Sequence, residues 1–376
     1  MDKKKILVVG ATFFPLNTPR ANRTTELVKE LARQGHDVTV ITPKDDQYHP
    51  AFEAKHRVTI KQLGTRKWKS FSINGKGLLR IFERAVVRIS LLLFEYPDIE
   101  LMGMVKRVLK KEAGYDLLIS IAVPYPVHWG VAAARSKNHR IAIIWAADCG
   151  DPFMGDRADS FRKMFYFKYV EQWFCRKADY ITVPTTGSIA AYYPEFHPKI
   201  KIIPQGFSLD ESPIYKGAIN NEVPSFAYAG GFIPGIRDPR EMLLFLTQYS
   251  LPYKFIIYTG NMDLVEPYTN LSGNQIEARP YIPRDQLLFE LSQMDFLVNF
   301  TNGTSVQTPS KLIDYAIAGR PVLSIDTGKL DTKKLLDFLQ SDYSGEDQKI
   351  DLDQYDIKNV VGRFLELLRQ QPQLKL

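Results

Sequence analysis

Short runs of continuously apolar, β-prone residues alternate with helical segments along the whole chain. The first run is KILVVGATFF, and the helical stretch TTELVKELARQG that follows it ends at Gly35, before the next apolar run HDVTVITP. Continuous apolar runs are typical of parallel strands buried on both faces, and glycine favours the end of a helix. The alternation therefore predicts a doubly wound α/β fold.

The alternating pattern occurs in two series. The first continues through YDLLISIAVP, HRIAIIWAAD, ADYITVPT and KIKIIPQGF, and the second runs from SFAYAGGF through YKFIIYTG and DFLVNFT to RPVLSID. A chain of 376 residues is longer than one hydrophobic core usually supports. We expect two Rossmann-like domains, 1–205 and 224–350, joined by a linker at 206–223 and followed by a helical segment at 351–376.

Composition is that of an ordinary globular protein, with 45% hydrophobic and 24% charged residues. Cys149 and Cys175 form no disulfide framework and no metal-type spacing, which fits a reducing compartment. The N-terminal residues do not resemble a signal peptide, and no window approaches the ~18 apolar residues of a membrane-spanning helix. We expect a cytoplasmic protein without a metal centre.

Several enzyme classes lack their sequence motifs here. Neither the turn that begins at Gly10 nor the turn Gly230–Gly235 has the G-x-G-x-x-G spacing of nicotinamide and flavin enzymes. The chain also lacks the P-loop lysine motif, the G-x-S-x-G elbow and the H-E-x-x-H zinc motif. No nucleic-acid-binding motif is present either.

Positive charge is concentrated in residues 61–111. The net charge of the chain is +7, and this stretch holds twelve basic against four acidic residues. It includes GLLRIFERAVVRISLLLFEY, which is apolar on much of a helical surface and basic on the rest. Such a helix binds anionic membrane surfaces, which would make the protein a peripheral membrane protein. The alternative is a core helix with solvated charges.

The stretch TPSKLIDYAIAG has the signals of a helix that binds an anion. Thr308 suits the N-cap and Gly319 the end of the helix, and Ser310, Lys311 and Asp314 share one side of its first turns. A helix N-terminus with a lysine can hold a phosphate, and the carboxylate can accept hydrogen bonds from ribose hydroxyls. The pattern favours a nucleotide site. The alternative is a surface ion pair between Lys311 and Asp314.

The position of this helix in the predicted fold favours the nucleotide. The helix follows the strand DFLVNFT, so it begins at the carboxyl end of that strand. Ligands bind at that edge of open α/β sheets. The intervening loop NGTSVQT is small and polar, which lets a backbone approach a ligand closely.

Six stretches, in this order, resemble the GT-B glycosyltransferases, close to the family-4 group of retaining enzymes: RTTELVKELARQGHDVTVIT, DLLISIAVPYPVHWGVAAARSKNHRIAIIWAADCGDPF, VEQWFCRKADYITVPT with KIKIIPQGFS, FAYAGGFIPGIRDP, YIPRDQLLFELSQMDFLVNF and TPSKLIDYAIAGRPVL. The resemblance implies two Rossmann-like domains that face each other across a cleft. The N-terminal domain would bind the acceptor and the C-terminal domain the nucleotide sugar. The C-terminal helix would cross back to the N-terminal domain.

The activity that this resemblance implies is transfer of a sugar from a UDP- or GDP-linked donor to a hydroxyl of a glycan or lipid-linked acceptor. Retention of configuration is expected, without cofactor or metal. Capsule, O-antigen and exopolysaccharide assembly are the processes that such enzymes serve.

In the donor domain, the resemblance assigns roles to several positions. Asp314 matches the second glutamate of the family's E-x7-E motif, which holds the ribose, and is one methylene shorter. Val306 occupies the position of the first glutamate, which usually contacts the sugar. Tyr281 lies in the stretch beside the base pocket and is assigned to donor binding.

The diphosphate of the donor is assigned to the first turn of the same domain and to two cations. Gly230 and Gly231 form that turn, but the arginine that usually follows is missing. Arg237, six residues on, is the expected substitute, with Lys311 as the second cation. The alternative for Arg237 is a surface ion pair with Asp238.

The N-terminal domain supplies the remaining candidates. Arg20 and Arg23 lie at the start of the first long helix, where arginines and free N–H groups can meet a diphosphate. His128 matches the cleft histidine of the family and would contact the sugar, with a structural role as the alternative. Asp148 and Asp151 end another strand and would bind the acceptor or orient its hydroxyl, unless they cap a turn.

Two other functions remain open on the sequence. A nucleotide-sugar 2-epimerase shares this fold but needs a cluster of acid–base carboxylates, which the sequence does not place. A non-catalytic nucleotide-sugar-binding partner subunit stays open because Val306 replaces a glutamate.

Overall fold

The computed structural model describes residues 2–16, 18–73, 75, 77–155, 162–301, 310–347 and 350–370. The chain divides into two compact units. The first consists of Met1–Phe207 with Gln354–Leu376, and the second is Ser208–Asp353.

The first unit is built on a seven-stranded sheet in which every described pairing is parallel. Its strands are β1 Lys5–Gly10, β2 Asp37–Thr42, β3 Thr59–Gln62, β4 Tyr115–Ala122, β5 Ala142–Cys149, β6 Tyr180–Val183 and β7 Ile200–Ile202. Their order across the sheet is β3-β2-β1-β4-β5-β6-β7. Its helices in this part of the chain are α1 Pro19–Arg33, α2 His49–His56, α3 Gly77–Phe94, α4 Glu100–Leu109, α5 Pro126–Ala134 and α6 Phe167–Lys177.

Both faces of this sheet are covered. Leu7 and Val9 of β1 belong to one hydrophobic core, whereas Ile6 and Val8 belong to another. Successive side chains of a strand point to opposite faces, so the continuous apolar run feeds two cores at once.

The second unit repeats this plan with five parallel strands in the order β10-β9-β8-β11-β12. The strands are β8 Ser225–Ala229, β9 Lys254–Tyr258, β10 Ile276–Arg279, β11 Phe296–Phe300 and β12 Val322–Ile325. The helices are α7 Arg240–Thr247, α8 Met262–Leu271, α9 Arg284–Leu291, α10 Ser310–Ala318 and α11 Thr332–Leu339. Phe226 and Tyr228 pack on one face and Ala227 and Ala229 on the other.

The last helix, α12 Ile357–Glu366, returns to the first unit. Val360, Val361 and Phe364 are buried in the same core as Leu27 and Leu31 of α1. This helix therefore completes a face of the first sheet, although it follows the whole second unit in sequence. The two parallel sheets with helices confirm the predicted α/β class with two Rossmann-like domains.

Helix α3 differs from the other long helices because none of its residues is buried. Leu78 is 85% exposed and Phe82 65%. Helix α3 is therefore not a buried core helix. Among the described helices, none is long and apolar enough to cross a membrane.

Each sheet has a point where the strand order reverses direction. In the first unit that point lies between β1 and β4, and in the second between β8 and β11. The connections leave the sheet on opposite faces at such a point, which opens a crevice at the carboxyl ends of the strands. Most of the candidate site residues lie near one of these two places.

Candidate functional site

Helix α10 begins beyond the carboxyl end of β11 and is fixed to the adjacent strand. Ile313, Tyr315 and Ile317 of this helix are buried, and the backbone N–H of Ala229 donates to the Tyr315 hydroxyl at 2.8 Å. Gly319, with φ of +68°, ends the helix. Thr308, Val306 and the side chain of Ser310 lie outside the described residues. Within the described residues, Lys311 is therefore the first polar side chain of α10.

The ammonium group of Lys311 lies at the reversal point of the second sheet. Its Nζ donates to the carbonyl of Phe300, the last residue of β11, at 3.3 Å, and lies 4.9 Å from the ring centre of Tyr228 in β8. Burial, followed by the charge of Arg237, lowers the pKa of Lys311 to about 7. Removing a charge from water disfavours the protonated amine, and a neighbouring cation adds to the effect.

Arg237 lies next to Lys311 on a short turn after β8. The turn is closed by two backbone hydrogen bonds between Ile233 and Arg237. Burial raises the pKa of Tyr228 to about 12, and the Arg237 charge opposes that rise. Arg237, Tyr228 and Lys311 thus form one cluster.

The alternative partner of Arg237 is already engaged elsewhere. Asp238 binds Arg240, whose Nε donates to Oδ1 at 2.8 Å, and this hydrogen bond holds the pKa of Asp238 well below its usual value. The buried Nε of Arg237 has no hydrogen-bond partner among the described residues. In that part of the chain, neither Arg237 nor Lys311 forms an ion pair with a carboxylate. Two adjacent cations without a counter-charge form a site for an anion.

The turn after β8 lets a ligand approach the backbone closely. Gly230 has φ of +151°, and a Cβ at this position would lie 2.9 Å from the Tyr228 hydroxyl oxygen. A side chain there would be strained and crowded. Gly231 follows, and a Cβ on it would lie 3.5 Å from the hydroxyl oxygen of Tyr281. The turn therefore requires glycine at Gly230 and lies close to Tyr281.

Tyr281 presents an aromatic ring at the edge of this cluster. Its side chain is 58% exposed, directly after β10. A Cβ on Gly260 would lie 3.2 Å from its ring. The glycine thus permits the edge of the ring to approach the backbone after β9. An exposed aromatic face of this kind can stack on a planar ligand group.

Asp314 does not pair with Lys311. Its Oδ1 accepts hydrogen bonds from Nε and Nη2 of Arg284, at 2.9 and 2.6 Å. Burial raises the pKa of Asp314, and the Arg284 charge opposes this rise. In the described residues no hydrogen bond reaches Oδ2, so one oxygen of this carboxylate is available to a ligand hydroxyl.

Arg284 is a site residue that the sequence analysis did not identify. It opens α9 directly after Pro283, in the stretch YIPRDQ. Its signal was its position at a strand-to-helix junction, at the same sheet edge as α10. Its pairing with Asp314 could not be predicted from neighbouring residues, because 30 residues separate the two in sequence.

In the first unit, Arg23 and Asp148 form a buried ion pair. Nε and Nη2 of Arg23 donate to the two carboxylate oxygens at 3.0 and 2.9 Å. Arg23 also donates to the carbonyl of Pro204, and the Thr182 hydroxyl donates to Asp148 at 2.7 Å. Burial alone would raise the pKa of Asp148, but Arg23 and Thr182 hold it below its usual value. This carboxylate is therefore ionised and fully engaged within the protein.

Arg20 and Asp151 form a second pair that is open to solvent. They contact each other at 2.8 Å, and Asp151 is 53% exposed. Thr18 caps the start of α1 by accepting from the Ala21 N–H, which places Arg20 in the first turn. A Cβ on Gly150 would lie 1.7 Å from the Arg20 guanidinium, so the pair depends on glycine there. A polar ligand can therefore replace the contact between Arg20 and Asp151 with hydrogen bonds to either side chain.

His128 lies in the interior of the first unit. It is completely buried, with Nδ1 2.8 Å from the Ser120 hydroxyl and Nε2 3.4 Å from the Cys149 sulfur. Burial lowers the pKa of His128 to about 3, so the ring is neutral at physiological pH. These are the contacts of a core side chain, and its role towards a sugar stays a prediction.

The structure thus groups the candidates in three ways. Lys311, Arg237, Gly230, Gly231 and Tyr281 surround one edge of the second sheet. The four charged candidates of the first unit form two separate pairs, and His128 is interior. Among the described residues, no three His, Cys, Asp or Glu side chains are placed to hold a metal ion.

Solved structures with the same fold include a glycosyltransferase and a protein in complex with UDP. Anabaena HepE in complex with UDP aligns with a TM-score of 0.60 at 12% identity, over 97% of this chain and 99% of that one. TarM aligns with a TM-score of 0.63 at 9% identity, over 98% and 99%. The Rickettsia africae glycosyltransferase aligns with a TM-score of 0.59 at 10% identity, over 97% and 98%. At these identities the comparison establishes the GT-B fold.

The sequence comparison identifies the family. No curated protein sequence matches the chain. The sequence profile of Glycosyltransferase Family 4 matches residues 21–211, which is 191 of 376 residues and so just over half of the chain. The protein is therefore a GT-B glycosyltransferase that belongs to glycosyltransferase family 4.

Proposed function

We propose that this glycosyltransferase moves a sugar from a UDP- or GDP-linked donor to a hydroxyl of a glycan or lipid-linked acceptor, with retention of configuration, in cell-surface polysaccharide biosynthesis. The observation that carries the proposal is the pair of adjacent cations Lys311 and Arg237, which have no carboxylate partner among the described residues. HepE has been solved with UDP and with UDP-glucose, which supports a nucleotide-sugar donor for this chain.

The donor would bind along the carboxyl edge of the second sheet. Lys311 and Arg237 hold the diphosphate, and the backbone N–H groups at the start of α10 and of Gly231 complete its hydrogen bonds. The Asp314 Oδ2 accepts from a ribose hydroxyl, while Arg284 keeps the carboxylate oriented. The face of Tyr281 stacks on the base.

Catalysis then follows from the charge that develops on the leaving group. As the glycosidic bond to the diphosphate breaks, negative charge accumulates on the phosphate oxygens. Fixed cations stabilise that charge more strongly in the transition state than in the bound donor. A phosphate oxygen of the leaving group takes the proton of the attacking hydroxyl, on the same face of the sugar. Positioning supplies much of the remaining rate enhancement, and the scheme needs no metal.

In the first unit, the exposed pair Arg20 and Asp151 would meet the acceptor. Asp151 is available to accept from a sugar hydroxyl, and Arg20 can contact a phosphate. Asp148 would act through Arg23, which it holds rigidly. His128, which is completely buried, would support the residues at this edge of the sheet from the interior of the unit.

The acceptor is assigned to a membrane because of helix α3. Its apolar side chains include Leu78, Ile81, Phe82 and Ile89, all at least half exposed. Arg80, Arg84 and Arg88 follow each other at four-residue spacing and lie along one flank. An exposed apolar face flanked by arginines is the signature of a helix that lies in an anionic membrane interface. The protein would act at the inner face of the cell membrane.

The proposed activity is tested by incubating the protein with a panel of UDP- and GDP-sugars, with and without lipid-linked glycan acceptors. We expect release of the nucleoside diphosphate from one donor, strongly stimulated by one acceptor class. A 2-epimerase would return an epimerised sugar with no acceptor present. A non-catalytic partner subunit would bind a donor and release nothing.

The donor site is tested by charge removal at each cation. Lys311→Ala and Arg237→Ala should each weaken UDP binding by about 10- to 100-fold, because each removes a charge-assisted hydrogen bond. Lys254→Ala is the matched control, since Lys254 is exposed at the first residue of β9 and so lies at the amino edge of the sheet, opposite to the cluster. Calorimetry gives the three affinities. Equal losses of UDP affinity in all three variants would mean that UDP responds to the net charge of the protein and not to a site at Lys311 and Arg237.

Donor affinity should also depend on pH through Lys311. Its pKa of about 7 means that the charged form dominates below pH 7 and is lost as the pH rises above it. UDP-glucose binding should therefore be tightest near pH 6 and weaken towards pH 8.5. The phosphates of a nucleotide sugar do not titrate in that window, so the change reports on the protein. Lys311→Arg should bind without this slope, and an identical slope in Lys311→Ala would exclude Lys311 as its origin.

Membrane binding is tested by flotation with phosphatidylglycerol vesicles. The double variant Arg80→Ser with Arg84→Ser should partition roughly 10- to 30-fold less, because each cation near an anionic surface contributes about 1 kcal/mol. Lys137→Ser with Arg140→Ser removes the same charge from an exposed loop before β5 and should float like the unaltered protein. Flotation that is insensitive to the α3 changes would assign membrane binding to another surface.

A further inference from the structure

An apolar cavity of about 600 Å³ lies in the first unit, where α3 ends against α4, α5 and α6. Its walls are almost entirely carbon. They include Leu93 and Phe94 of α3, Met102 of α4, Trp129 of α5, and Tyr169 and Trp173 of α6. None of these residues takes part in the donor or acceptor contacts described above.

This cavity is a groove that opens at the surface of the first unit, not an enclosed void in its interior. A volume of this order is typical of ligand pockets. Phe94 is 63% exposed and Tyr169 65%, so the cavity has a rim in contact with solvent. A ligand can therefore enter without unfolding the unit.

The end of α3 is anchored at this rim. The Tyr166 hydroxyl donates to the carbonyl of Leu93, and Lys163 pairs with Glu95 directly after the helix. The apolar face of α3 runs from Leu78 to Phe94, a length of about 25 Å for a helix of this kind. An amphiphile that meets α3 thus has a continuous apolar surface leading to the cavity.

The walls of the cavity exclude a peptide as its occupant. A peptide would bring several backbone N–H and C=O groups that need partners, and an apolar wall provides almost none. Of the polar groups on the lining residues, the Tyr166 hydroxyl already donates to Leu93, and the buried Nε1–H of Trp129 has no acceptor among the described residues. A hydrocarbon chain needs no hydrogen bonds and matches the wall.

Charge selects the head group of that chain. Arg80 and Arg84 are exposed, and neither forms an ion pair in the described part of the chain. The surrounding segment 61–111 holds twelve basic against four acidic residues. A second copy of this chain would bring the same basic surface against itself in a two-fold contact, which is unfavourable. An anionic amphiphile is complementary to both the charge and the cavity.

We propose that this cavity binds the hydrocarbon chain of the lipid-linked acceptor, whose anionic head group lies against the arginines of α3. The proposal rests on the proposed function, because it specifies the lipid part of the same acceptor. The cavity would hold the chain after it leaves the bilayer surface and so fix the position of the glycan relative to the protein.

The test uses dodecyl phosphate below its micelle-forming concentration, which is a single chain with an anionic head. We expect saturable binding of one molecule, detected by calorimetry and by a change in tryptophan fluorescence, because Trp129 and Trp173 line the cavity. Methyl phosphate, which has the head without the chain, should not bind measurably. Absence of saturable dodecyl phosphate binding would overturn the proposal.

Two variants separate the cavity from the surface of α3. Val170→Phe adds volume to the cavity wall and should weaken dodecyl phosphate binding by about tenfold or more. Phe94→Asp places a negative charge at the exposed rim and should also weaken it. Leu244→Phe, at an exposed position of α7, is the matched control and should bind as the unaltered protein does.

The readouts distinguish this proposal from the proposed function. UDP affinity should be unchanged in all three variants, which also shows that they are folded. If sugar transfer fails in every assay while dodecyl phosphate binds as expected, the enzyme proposal fails and the cavity assignment stands. Dodecyl phosphate binding that Val170→Phe leaves intact would overturn the cavity assignment. A dimer in light scattering that Val170→Phe disrupts would assign the cavity to a second copy instead.

Discussion

Coverage of both faces of each parallel sheet is the constraint on which the rest of this structure depends. Because helices occupy both faces, a ligand cannot bind on a face of the sheet and must bind at an edge. The carboxyl edge at the strand reversal is the place where loops diverge and backbone groups are unpaired. Lys311, Arg237 and Tyr281 come from segments far apart in sequence, yet this edge brings them together.

The two units use charge in opposite ways. In the first, Arg23 is matched by Asp148 in a buried, bidentate pair, so its charge is already satisfied. In the second, Lys311 and Arg237 lie close to each other, and no carboxylate of the residues that the structure describes pairs with either of them. Removal of one partner from a buried pair is costly, whereas an uncompensated pair of cations is stabilised by any anion that arrives. The first arrangement supports the fold, and the second provides binding energy for a ligand.

Much of this architecture follows from local signals. The apolar runs predicted the strands, and Gly35 and Gly319 indicated the ends of helices. Both features depend only on neighbouring residues. Contacts between distant residues could not be obtained in the same way. The choice of Arg284 rather than Lys311 as partner of Asp314, and the burial of His128 between Ser120 and Cys149, depend on how separate elements pack.

The environment of helix α3 could not be predicted from the sequence either. Its apolar residues fit a core helix and a membrane-surface helix equally well, because both need one apolar face. Only the position of its neighbours distinguishes them, and in the structure none of its residues is buried. The sequence could state both alternatives, but the choice required the packing of the whole first unit.

The return of α12 to the first unit has a consequence for biosynthesis. A ribosome makes residues 1–207 first, yet the core that contains Leu27 and Leu31 stays open until Val360 and Phe364 have been made. The second unit is continuous in sequence and can close its core while the first still exposes an uncovered sheet face. The order of completion is therefore the reverse of the order of synthesis, and exposed nascent surface is where chaperones bind. A stop codon shortly before α12 would spare the second unit and damage the unit that is translated first.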